Sequence, residues 1–76
     1  MIYGIKNYNS GSTQVVIKNE GGMILYTESF RCEPDRIQIL GSGQTVTVLA
    51  DSPTSHVGRL ITQIDQTNVK MEPIPY

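Results

Sequence analysis

Arg36–Ala50 reads RIQILGSGQTVTVLA, and the fold is decided there. Ile37 and Ile39 alternate with Arg36 and Gln38; after Gly41-Ser42-Gly43, Val46 and Val48 alternate with Thr45 and Thr47. A period of two puts every second side chain on the same face of a strand. Two glycines between two such runs supply a chain reversal. The stretch therefore predicts an antiparallel hairpin with Ile37, Ile39, Val46 and Val48 inward and Thr45 and Thr47 outward.

The same grammar extends in both directions. Ile2–Tyr8 and Thr13–Lys18 flank Asn9-Ser10-Gly11-Ser12, a second hairpin with Val15 and Ile17 on one face. Asn19-Glu20-Gly21-Gly22 precedes a third strand, Met23–Phe30, read with Ile24, Tyr26 and Phe30 on one face and Met23, Leu25 and Thr27 on the other. Pro34 cannot donate to a ladder, so a bend is expected at residues 31–35. Asp51–Ser55 reads as the longest and most mobile loop. Val57–Ile64 is taken as a strand rather than a helix, because Gly58 and the β-branched residues outweigh the helical spacing of Leu60, Ile61 and Ile64. A short strand at 67–71 follows.

Composition agrees with this reading. The chain has 76 residues, a single alanine (Ala50) and only four leucines, and Val, Ile and Thr dominate. Such side chains are stiff at their first torsion and fit a pleated surface. Turn signals at roughly ten-residue spacing mark a sandwich or small barrel rather than a βαβ fold. The expectation is an all-β protein, a small sandwich or partly open barrel of about six or seven short antiparallel strands. Residues 1–71 form its single domain, and residues 72–76 an extended, Pro-containing arm. Val15, Ile17, Ile24, Tyr26, Ile37, Ile39, Val46 and Val48 are its expected core.

Chemistry is sparse. Cys32 is the one cysteine and His56 the one histidine, so neither an internal disulfide nor a conventional metal site is expected. Gly41-Ser42-Gly43 lacks the Lys-Ser/Thr of a phosphate loop and reads as a hairpin turn. Asp51, Ser55 and His56 hold triad residue types, but no nucleophile-elbow pattern surrounds either serine of that stretch. Cys32 sits between Arg31 and two acids, Glu33 and Asp35, and reads as a small semi-buried thiol. No catalytic residue, cofactor or metal is expected, and the chain is not read as an enzyme. Tyr3, Tyr8 and Tyr26 with Lys6 and Lys18 allow a base-stacking sheet, but a net charge of −1 opposes phosphate binding. No secretory segment is readable at the start, and no apolar run approaches the roughly 18 residues of a membrane span.

Size raises the question of partners. A chain this short buries only about 60% of its unfolded surface, and small folds compensate with disulfides, metals or association. With the first two unexpected, association is left. Terminal apolar groups have little of their own domain to pack against, so Ile2, Tyr3, Ile74 and Tyr76 are the candidate contact residues.

Tyr3–Gly11, YGIKNYNSG, resembles the start of small β-rich proteins encoded in the structural modules of tailed bacteriophages. Tyr3, Gly4, Ile5, Tyr8, Asn9 and Gly11 match that outline; Asn7 departs from it, an apolar residue being usual there. The resemblance implies a virion component, in the tail or on the capsid, assembled in the host cytoplasm. Its partners would be protein subunits: copies of itself, other virion proteins, or both. The alternatives are a small phage-encoded inhibitor or adaptor that docks on a host protein, and a small single-stranded nucleic-acid-binding barrel.

Overall fold

The computed structural model describes residues 1–76 and is all-β, with seven strands and no α-helix. The strands are β1 (Ile2–Asn9), β2 (Ser12–Asn19), β3 (Ile24–Phe30), β4 (Ile37–Leu40), β5 (Thr45–Ser52), β6 (Ser55–Asp65) and β7 (Asn68–Ile74). One 3-10 turn, Pro34–Arg36, makes the bend expected near Pro34. Every ladder joins consecutive strands in antiparallel fashion, giving a three-stranded sheet β1-β2-β3 and a four-stranded sheet β4-β5-β6-β7. The two face each other as an open sandwich.

Local chemistry explains the turns. Ser10 and Gly11 both have positive φ, 51° and 84°, the combination a two-residue I′ hairpin requires. At the β2–β3 turn the Asn19 side-chain oxygen accepts from the Gly21 and Met23 N–H groups at 3.0 and 2.9 Å. Between β5 and β6 the ladder continues to Ser52↔Ser55, leaving only Pro53-Thr54 as the connection. The long mobile loop expected at 51–55 is thus a tight hairpin, its ends tied by Ser55 N–H to Ser52 Oγ at 3.1 Å.

The core lies between the sheets. Ile2, Val15, Ile17, Ile37, Val46, Val48 and Ile61 are almost fully buried, and Ile39, Leu25 and Tyr26 pack against them half-buried. Ile24 is the exception among the expected core residues. Ile17 pairs with Tyr26, yet Lys18 pairs with Ile24, so Leu25 is an extra residue on β3. A bulge of one residue exchanges the faces beyond it. Ile24 is therefore 59% exposed on the outer face, and Leu25 packs against the core in its place.

At the carboxyl end one expectation holds and one changes. The 57–64 segment is a strand, part of an eleven-residue β6. Residues 72–74, expected to begin an extended arm outside the domain, continue β7: Glu72, Pro73 and Ile74 pair with Leu60, Arg59 and Gly58. Pro73 is admitted because β7 is an edge strand. Only Pro75 and Tyr76 extend beyond it.

Candidate interaction surfaces

The four contact residues read from the sequence do not form one patch. Ile2 is 1% exposed: its N–H donates to the Gly43 carbonyl at 2.7 Å, and its carbonyl accepts from the Gly43 N–H at 3.2 Å. It is a core residue that joins the two sheets, and it leaves the contact set. Tyr3 is 39% exposed and faces outward on β1, in the same row as Lys18. Ile74 and Tyr76 lie at the far end of the other sheet, where the Tyr76 ring meets His56 edge-on at 5.6 Å between centroids.

Ile74 belongs to a surface that the sequence reading did not assemble. With Ile37, Val48 and Ile61 inward, alternation puts Leu40, Leu49, Leu60 and Ile74 on the outer face of the four-stranded sheet. The register sets Leu40, Thr47, Leu60 and Glu72 in one row, and Gln38, Leu49, Gly58 and Ile74 in the next. Leu40 is 49% exposed, while Leu49, Leu60 and Ile74 are half-buried by one another and by the strands. Gly58 makes this packing possible: a Cβ there would stand 2.7 Å from Ile74 Cγ1 and 2.8 Å from its carbonyl oxygen. The available signal was Leu49, which must face outward once Val46 and Val48 face inward. A continuous apolar strip on an uncovered sheet face is the kind of surface that takes a protein partner.

The edges of the sandwich differ. Beside β1 and β4 they are stitched: the Ile2–Gly43 pair is joined by Lys6 Nζ, which donates to the Pro34 and Ile37 carbonyls at 2.9 Å each. Tyr8 Oη adds a 3.2 Å bond to Glu33. Beside β3 and β7 no ladder crosses from sheet to sheet. The link there is made of side chains: Arg59 Nε and Nη2 on β6 donate to Glu28 on β3 at 3.2 and 3.3 Å, and Tyr26 Oη, on the same strand as Glu28, donates to it at 2.5 Å. Burial first, then the hydrogen bond and charge of Glu28, push the Tyr26 hydroxyl up to about 12 against the pull of Arg59. Tyr26 is thus a neutral donor.

The polar groups weighed for chemistry are held apart. His56 Nδ1 pairs with Asp51 at 2.8 Å on the outer face. Ser55, the neighbouring residue on the same strand, faces the other way and bonds to Ser52. No Ser-His-Asp constellation results. Burial pushes the Cys32 thiol up, opposed by Arg36 and assisted by Asp35 and Glu33, so the sulfur is held in its unreactive form.

An open cleft of about 430 Å³ lies among the β2–β3, β4–β5 and β6–β7 turns. Its Asn19 and Asp65 are committed to scaffolding. Asn19 Nδ2 donates to the Gln66 carbonyl at 3.0 Å, and Asp65 accepts from Thr67 N–H and Asn68 Nδ2 at 2.9 Å each. The Thr67 N–H, then Asn68, hold the Asp65 carboxyl below its ordinary range. Besides the apolar side chains of Met1 and Ile64, what remains is the amides of Gln44, Gln63 and Gln66 with Glu20, side chains that hydrogen-bond but offer no nucleophile paired with a base.

No group of three or more metal-ligating side chains comes together, and no helix is long and apolar enough to cross a membrane. No family model, curated protein or solved structure matches the chain.

Proposed function

We propose that this protein is a structural subunit that works through protein–protein contacts, as a tail or capsid accessory component of a bacteriophage virion. The observation that carries the proposal is the apolar strip Leu40, Leu49, Leu60 and Ile74 on an uncovered sheet face. The monomer leaves Leu40 49% exposed and the other three only half-buried, whereas a subunit buries all four against a neighbour. The Tyr3–Gly11 stretch supports the virion setting by its resemblance to phage structural-module proteins. The sandwich contributes a rigid plate on which the strip is displayed, with Tyr76 and His56 at its end.

The test is compositional. Particles purified from an infected culture should contain the chain at a fixed copy number. Leu60→Glu should remove it from particles while the isolated protein keeps its β-sheet circular dichroism. A chain absent from purified particles, or a Leu60→Glu variant incorporated as well as the parent, overturns the reading.

A further inference from the structure

From the two rims we infer that two copies of this chain join edge to edge through β3, pairing antiparallel about Thr27 to form a continuous six-stranded sheet. The inference rests on the subunit-contact reading and names one of the subunits: a second copy. β3 ends its sheet, and one edge of its backbone has no ladder partner. Sheet edges are ordinarily protected by proline, by lysine or by a covering segment. β7 has Pro73 and Lys70, and β1 is backed by Lys6 reaching to the Pro34–Ile37 segment. β3, with the sequence ILYTESF, has neither proline nor lysine, and its one charge, Glu28, is tied to Tyr26 and Arg59. β4 also lacks both, but Lys6 occupies its Ile37 carbonyl and the Ile2–Gly43 pair closes that rim, so β3 is the undefended edge.

The occupant and register follow from the charges. Pairing centred on Thr27 sets Thr27 against its own copy, a favourable cross-strand pair, and sets Glu28 against the uncharged Tyr26 of the other chain. Moving the centre to Glu28 sets two carboxylates face to face, which is unfavourable. A twofold axis through Thr27 uses the same patch on both copies, as an isologous dimer requires. β7 runs beside β3 at this rim, so the axis brings the two β7 edges together as well. There Pro73 and Lys70 resist pairing, which leaves β3 as the hydrogen-bonded seam.

Residues directly opposite on antiparallel strands have Cβ atoms about 4.5–5.5 Å apart, within the reach of a disulfide after small adjustment. In a Cys32→Ser background, Thr27→Cys should therefore oxidise to a covalent dimer much faster than Thr54→Cys, a control at the β5–β6 hairpin tip. Thr27→Lys, a substitution at an exposed position, should weaken self-association measured by light scattering about tenfold or more by placing two cations together. Its circular dichroism should match that of the parent. Cross-linking of Thr27→Cys no faster than the control overturns the β3 dimer. If oligomers persist in that case and Leu60→Glu dissociates them, the subunit-contact reading stands on the leucine strip alone. If the chain is also absent from particles, both readings fall.

Discussion

At the rim beside β1 and β4, a backbone pair between Ile2 and Gly43 and a lysine bonded to two carbonyls tie one sheet to the other. At the rim beside β3 and β7, an arginine–glutamate side-chain pair spans the gap, and a tyrosine on the glutamate's own strand braces it. The strands of the two rims differ in length, eight and four residues against seven and seven, but are similar in β-branched content. They differ in which groups are satisfied: the stitched rim has consumed part of its backbone capacity, and the open rim still offers it. A backbone group left at an edge costs little in water and is available to a partner. One small sandwich can thus be closed for stability on one side and open for assembly on the other.

The largest effect expected from this contrast lies at Ile2. Its side chain is buried to 1% exposure, and its backbone anchors the stitch. Ile2→Ala should cost about 2–5 kcal/mol in chemical denaturation. Ile24→Ala on the open-rim strand, at an exposed position, should fall within about 0.5 kcal/mol. Comparable losses at the two positions would mean that the bulge at Leu25 or the Ile2–Gly43 junction is misplaced.

A smaller loss is expected at Gly58. An added methyl group must displace Ile74, side chain and backbone together, so Gly58→Ala should cost about 1–3 kcal/mol. It should also loosen the end of β7, read as faster amide exchange at Glu72 and Ile74. A neutral Gly58→Ala would place Ile74 off the sheet and dissolve the leucine strip.

Tyr26 sharpens the open-rim account through pH. An unfolded tyrosine titrates near pH 10, while folded Tyr26 holds its proton to about 12. Across that window the unfolded chain binds fewer protons than the folded one, so stability falls as pH rises and is independent of this group below about 10. The decline between about pH 10 and about pH 12 in denaturant midpoint should be shallower in Tyr26→Phe than in the parent. Equal slopes would show that Tyr26 is not buried against Glu28.

Much of this molecule was legible from alternation alone. Ile37, Val46 and Val48 had to face inward, and the glycine-containing turns had to reverse the chain. What escaped reading was not local. Nothing in MILYTESF announces that Leu25 is an extra residue, because the bulge is defined by what β2 sets opposite it. Ile2 looked like a loose terminal group because its partner, Gly43, lies in the β4–β5 connection, far along the chain. The leucine strip was half visible: Leu49 was forced outward, but Leu40, Leu60 and Ile74 joined it only through the registers of three ladders. Pro73 and Pro75 made the tail look detached, although an edge strand tolerates proline and Ile74 has a seat on Gly58.

Residue-resolved amide hydrogen exchange, recorded at low and at high protein concentration, tests the two-rim account most directly. The Ile2 and Gly43 amides should be protected equally at both concentrations, because their bonds are internal. The outward-facing amides of β3 should exchange rapidly when dilute and gain protection as concentration rises and copies pair. Slow exchange along β3 at every concentration, or rapid exchange at Ile2 and Gly43, would contradict it.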